Sequence, residues 1–161
     1  MTWDDTQESL ARSLRELPDR GFVVLKPTEP PGRLAIVHHR RLAGLITERR
    51  ATASPFVQFL RMENDLRGEC VGSEGMGGPF PLTDEEHERV LGLGWVVPSH
   101  EGFFSENYEC DWRGEGPPPS YLSAATAGDA AGLGVRTIRQ VFGCPRPEAL
   151  DIVVEHNRPR T

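Results

Sequence analysis

Apolar and polar positions along the first seventeen residues repeat with the period of a helix. The apolar residues lie seven, four and three positions apart and share one face: Trp3, Leu10, Leu14 and Leu17. Thr2, with Asp5 three residues later, resembles a capping box, and Pro18 ends the segment. The pattern therefore predicts an amphipathic helix over Asp4–Leu17.

Continuous or alternating apolar runs predict three strands in the first half of the chain. Phe22–Leu25 is a short apolar run rich in β-forming residues, which is typical of a strand buried on both faces. Phe56–Met62 and Leu66–Val71 are separated by a short polar loop and predict a β-hairpin. In the first hairpin strand, alternation places Phe56, Gln58, Leu60 and Met62 on one face, and Val57, Phe59 and Arg61 on the other.

The segment Arg33–Ala53 has no single pattern. Its first residues, Leu34–Val37, fit a strand. The same segment also fits one face of a short helix, formed by Ala35, His38, Leu42, Leu45 and Ile46. Periodicity leaves both alternatives open.

The second half of the chain predicts two helices and one strand. One helix begins at a capping box formed by Thr83 and Glu86 and ends before Gly94, which suits the position after a helix C-terminus. A last strand is expected over Phe103–Cys110 and a final helix over Leu122–Phe142. A short terminal element follows over Pro147–Val154.

The order of these elements predicts an α+β fold with an antiparallel sheet and flanking helices. The order is helix, strand, insertion, hairpin, helix, strand and helix. We expect one domain over residues 1–161, with residues 33–53 as an arginine-rich insertion and residues 157–161 as a frayed tail.

Composition and charge narrow the range of partners. No apolar run approaches the roughly 20 residues of a membrane span, and the acidic N-terminus does not resemble a signal peptide, so a cytoplasmic location without a membrane partner is expected. The net charge of −6 disfavours nucleic acid as the default partner. The charge is uneven, however, with a local sum of +5 over Arg33–Arg61 and −9 over Glu69–Glu115.

The residues that commonly carry catalysis do not form a recognisable site. The glycine-rich stretch Gly72–Gly78 lacks the Lys-Ser/Thr of a phosphate-binding loop. Neither the five histidines nor the three cysteines show metal-ligand spacing. The sequence therefore predicts no enzyme, no cofactor and no metal site.

Several stretches together resemble the TY-Chap domains, a bacterial family of small α+β domains related in fold to type III secretion chaperones and YbjN proteins. The resemblance rests on the hairpin, the second helix with the residues after it, and the last helix. The stretches are FVQFLR at 56–61, LRGECVG at 66–72, PLTxEE at 81–86, GLGW at 92–95 and VRTIRQVFG at 135–143. With the first helix it covers most of the chain, and the arginine-rich insertion is where the chain departs from the compact pattern.

The resemblance implies a non-enzymatic module that binds a peptide or protein partner, and a homodimer as in secretion chaperones. The candidate binding residues lie on the hairpin, with two arginines as a polar rim: Phe56, Gln58, Leu60, Arg61 and Arg67. The alternative is a binder of nucleic acid or of an acidic protein through a basic patch in the insertion: Arg40, Arg41, Arg49 and Arg50.

Overall fold

A computed structural model describes residues 1–42, 45–97 and 106–156 of the chain, and within 36–49 it describes the backbone alone. The strands are β1 Phe22–Pro27, β2 Arg33–Leu42, β3 Leu45–Ala53, β4 Val57–Arg61, β5 Asp65–Cys70, β6 Tyr108–Arg113 and β7 Leu150–Glu155. The helices are α1 Trp3–Glu16, α2 Asp84–Leu93 and α3 Ala124–Arg136. The mixture of helices with an antiparallel sheet confirms the predicted α+β class.

The ends of α1 and α2 follow the capping patterns in the sequence. The Thr2 hydroxyl accepts from the backbone N–H of Asp5, and the Asp5 carboxylate accepts from the backbone N–H of Thr2. Thr83 and Glu86 make the same reciprocal pair at α2. The first backbone N–H groups of a helix have no partner within the helix. The capping box gives two of them a hydrogen-bond acceptor, and this fixes where each helix begins.

Five strands form one antiparallel sheet in the order β6-β5-β4-β1-β7. The predicted hairpin is β4 and β5, and β1 pairs with β4. The segment predicted only as a short terminal element is β7, which pairs with β1 along six residues and places β1 in the interior of the sheet. Val96 bridges the free edge of β6 through two backbone hydrogen bonds with Glu109, each 2.9 Å.

The arginine-rich segment is a β-hairpin, which decides between the two alternatives that periodicity left open. Its strands β2 and β3 pair with each other in a separate two-stranded sheet, which we term the arm. Ala35 is buried at the base of the arm, whereas Leu34 is 69% exposed. The base is anchored by Arg33, which donates two hydrogen bonds of 2.6 Å to the carboxylate of Glu86 on α2.

The main core lies between the helices and one face of the five-stranded sheet. Helix α3 approaches β1 and β4 so closely that a Cβ on Gly134 would stand 2.9 Å from the ring of Phe59 and 3.0 Å from Leu25. Helix α1 packs against α3, and α2 packs against the turn that follows α3. The helices thus lie on the same side of the sheet.

The boundaries of the last strand and the last helix differ from those predicted. Strand β6 begins at Tyr108, and the earlier part of the predicted strand includes residues 103–105, which lie outside the described residues. The final helix is regular only to Arg136 and continues as a π-helical turn over Thr137–Val141. The predicted frayed tail, 157–161, also lies outside the described residues.

Candidate functional site

The two faces of the five-stranded sheet have different surroundings. Cross-strand partners point to the same face of a sheet, so the register assigns each residue to one side. The inner face, which carries Leu25, Val57 and Phe59, meets the helices. We term the opposite side the outer face. No helix lies against it in the described part of the chain.

The centre of the outer face is apolar. Leu60 lies between Phe22 of β1 and Arg67 of β5 in the register, and Val24 lies between Gln58 of β4 and Val153 of β7. Val24 is 9% exposed and does not belong to the main core cluster. Val153 and Met62, which are also on this face, are 37% and 46% exposed. The apolar centre therefore consists of Phe22, Val24, Leu60, Met62 and Val153.

Charged side chains surround this centre. Arg67 donates from Nε to the Asp111 carboxylate at 3.0 Å, and a second guanidinium nitrogen lies 3.4 Å from the other oxygen. The hydrogen bond from Arg67 to Asp111 raises the pKa of the guanidinium, and the nearby charges of Glu109 and Glu69 act in the same direction. One cation therefore lies among three carboxylates on β5 and β6.

Three of the five candidate peptide-binding residues lie on the outer face. Gln58, Leu60 and Arg67 are half-buried there, in adjacent rows of the register. Phe56 precedes β4 and is half-buried against the main core. A polar substitution of Phe56 would therefore disturb the fold as well as the surface, which makes Leu60 the better position for testing binding.

Arg61 lies on the inner face and cannot form part of a rim around the outer one. It is 6% exposed, and its Nη2 donates to the backbone carbonyl of Ser120. Removal of the guanidinium from water lowers its pKa, and its Nη1 has no hydrogen-bond partner. Alternation along β4 placed Arg61 opposite Leu60, so the sequence already contained the signal that separates it from the other candidates.

The alternative basic patch falls within the arm. Arg40 and Arg41 belong to β2, and Arg49 and Arg50 belong to β3. Arg50 is exposed, and the side chains of the other three lie outside the described residues.

Two classes of group with catalytic potential are the cysteine thiols and the residues that commonly hold a metal ion. Burial raises the pKa values of the thiols of Cys70, Cys110 and Cys144, so these thiols are protonated at neutral pH. No group of three potential metal ligands occurs among the described residues. None of the described helices is both long and apolar enough to cross a bilayer.

The sequence analysis missed three residues of the apolar centre: Phe22, Val24 and Val153. The continuous run over Phe22–Leu25 shows no alternation that would divide it between two faces. Val153 could not be included without knowledge that β7 pairs with β1. Met62 was assigned to the correct face by alternation along the first hairpin strand.

Comparison with known proteins identifies one family over nearly the whole chain. The model of TY-Chap3, described as T3SS (YopN, CesT) and YbjN peptide-binding chaperone 3, matches residues 1–155. The match includes every helix and strand named above for the described residues. No curated protein and no solved structure matches the chain.

Proposed function

This chain belongs to the TY-Chap3 family, and on that premise we propose that it is a non-enzymatic protein that binds an extended peptide segment on its outer face. The observation that carries the proposal is the apolar centre. Phe22, Val24 and Leu60 lie on the side of the sheet opposite the helices. A chaperone-type family, protonated thiols and the lack of a metal-ligand group among the described residues support a role in binding rather than in catalysis.

The shape and chemistry of the sheet support the recognition of an extended segment. An apolar patch rimmed by polar residues is typical of a protein interaction site, because burial of the patch removes apolar area from water. A pleated surface presents side chains in rows, with gaps into which the side chains of an extended ligand fit. Gln58, at the middle of its row, offers an amide donor and acceptor to the ligand.

The test is binding of the full-length protein to an array of synthetic extended peptides before and after Leu60→Asp. Leu60 is half-buried at the apolar centre, so a carboxylate there should abolish most binding by placing a charge against the ligand. Ala124→Asp is the control, because it adds the same charge at an exposed position in the first turn of α3.

Circular dichroism and thermal unfolding should show that both variants are folded. Binding by Leu60→Asp as strong as that by Ala124→Asp would refute the outer face as the binding site. Failure of the unmodified protein to bind any peptide of the array would refute the proposed function itself.

A further inference from the structure

The charges around the apolar centre are unbalanced. Six carboxylates and three cations occupy the outer-face positions of the register on β1, β5, β6 and β7. They are Asp65, Glu69, Glu109, Asp111, Asp151 and Glu155 against Lys26, Arg67 and Arg113. The outer face is therefore apolar at its centre and negatively charged at its margin.

The excess negative charge lies on two opposite sides of the centre. On one side Glu69 and Glu109 are direct cross-strand partners. Arg67 lies near both of them, and Glu69 also accepts a hydrogen bond of 3.3 Å from the side-chain amide of Asn107. On the other side Asp151 and Glu155 lie on the edge strand β7, where Lys26 is the cross-strand partner of Asp151. A ligand that crosses the strands would meet carboxylates at both ends.

We propose that the segment bound on the outer face is a short extended apolar stretch with a basic residue at each end. This inference rests on the proposed function and specifies its ligand. The apolar stretch contacts Phe22, Val24 and Leu60, and the basic side chains pair with the carboxylates of β5–β6 and of β7. Charge complementarity selects this occupant over an acidic or uncharged segment.

Strand spacing sets the length of the apolar stretch. Adjacent strands lie about 4.8 Å apart, so the distance from β7 to β6 across five strands is roughly 19 Å. An extended chain rises about 3.3 Å per residue and covers that distance in about six residues. A segment with about five apolar residues between its basic ends would therefore fit between the two negatively charged margins.

The experiment measures fluorescence anisotropy of three labelled peptides that share the apolar stretch VLVLV and differ only in their flanks. The flanks are two Arg, two Ser or two Glu residues at each end. We expect the Arg-flanked peptide to bind about tenfold more tightly than the Glu-flanked peptide at low salt, as two or more exposed ion pairs would give. The preference should shrink when the salt concentration exceeds about 0.5 M.

The double variant Glu69→Gln/Glu109→Gln should lose most of the preference for Arg flanks while it retains binding of the Ser-flanked peptide. The matched control is Glu16→Gln/Glu88→Gln, which changes the net charge equally at exposed positions on α1 and α2. The control should keep the preference, because the inference assigns it to the carboxylates of the outer face. General attraction by a protein of net charge −6 would instead fall equally in the two variants, since it does not depend on which two carboxylates are removed.

The outcomes separate the inference from the proposed function. Equal binding of all three peptides, or an equal loss of preference in the test and control variants, overturns the inference and leaves the outer face as a binding surface. Binding of none of the peptides overturns both. Sedimentation velocity on the same samples completes the test: a dimer that excludes the peptides would show that a second copy of the chain occupies the face, which also overturns the inference.

Discussion

Single glycines on α3 show how closely the helix and sheet pack. Gly134 is buried, and a Cβ there would press on Phe59 and Leu25, which are themselves fully buried. Gly128 lies six residues earlier on the same helix, and a Cβ there would meet no atom within 4 Å. The two positions have the same secondary structure and opposite packing environments.

Gly134→Ala is therefore expected to destabilise the protein by about 1–3 kcal/mol, because overpacking outweighs the gain in helix propensity of about 1 kcal/mol. Gly128→Ala is expected to stabilise it by up to about 1 kcal/mol, because only the propensity changes. Urea denaturation monitored by circular dichroism measures both. Equal effects of the two substitutions would contradict the close packing of α3 on β1 and β4.

At the scale of secondary-structure elements, an ion pair between Arg33 and Glu86 connects the arm to α2. Glu86 accepts two hydrogen bonds from Arg33 and also accepts from the backbone of Thr83 in the capping box. These interactions, chiefly the hydrogen bonds from Arg33, lower the pKa of the Glu86 carboxyl. Arg33 also lies over the ring of Phe80, 5.2 Å from its centroid, so the base of the arm is held by charge and by packing.

Glu86→Gln should destabilise the protein by about 1–2 kcal/mol at neutral pH. A fully buried ion pair would contribute more, but water screens this one because the Arg33 side chain is partly exposed. Gln still completes a capping box, so the change isolates the charge. Because the pKa of Glu86 is lowered by folding, its stabilising effect is present above the ordinary value of 4.5 and is lost as the pH falls through the folded value.

The measurement is the free energy of unfolding of both proteins between pH 7 and pH 3. The difference in free energy of unfolding between the unmodified protein and Glu86→Gln should narrow below about pH 4.5. Glu88→Gln on the exposed side of α2 is the control and should have little effect at any pH. A difference that stays constant or widens as the pH falls would show that the Arg33–Glu86 pair does not stabilise the join.

At the scale of the whole molecule, the described residues form two sheets that share no strand pairing. The five-stranded sheet and the helices contain the core, whereas β2 and β3 pair only with each other. The arm joins the rest of the protein at its base, where Ala35 is buried and Arg33 binds Glu86.

Replacement of residues 36–50 by Asn-Gly should therefore leave the rest of the protein folded. Ala35 and Ala51 are cross-strand partners, so a two-residue turn can connect them. We expect a cooperative thermal transition with a midpoint within a few degrees of that of the full chain, and unchanged binding of the Arg-flanked peptide. Loss of the transition would show that the arm is required for folding, and loss of peptide binding alone would place the binding site in the arm.

Local patterns in the sequence were sufficient to predict the helices and strands that are determined by residues close together in the chain. The capping boxes at Thr2 and Thr83 located two helices, and alternation over Val57–Arg61 identified the inner and outer faces of β4. Candidate site residues Gln58, Leu60 and Arg67 were assigned from the same alternation and the predicted hairpin.

The amino-acid sequence alone determined the α+β class, most of the elements, the hairpin and the resemblance to the TY-Chap family, because helix periodicity, strand alternation and capping are local properties. Only the tertiary structure decided that residues 33–53 form a separate hairpin, that β7 pairs with β1, and that the helices share one side of the sheet. Each of these depends on contacts between residues far apart in the chain, such as Val24 with Val153, which no local pattern encodes. The apolar centre and its charged margin are products of that long-range pairing.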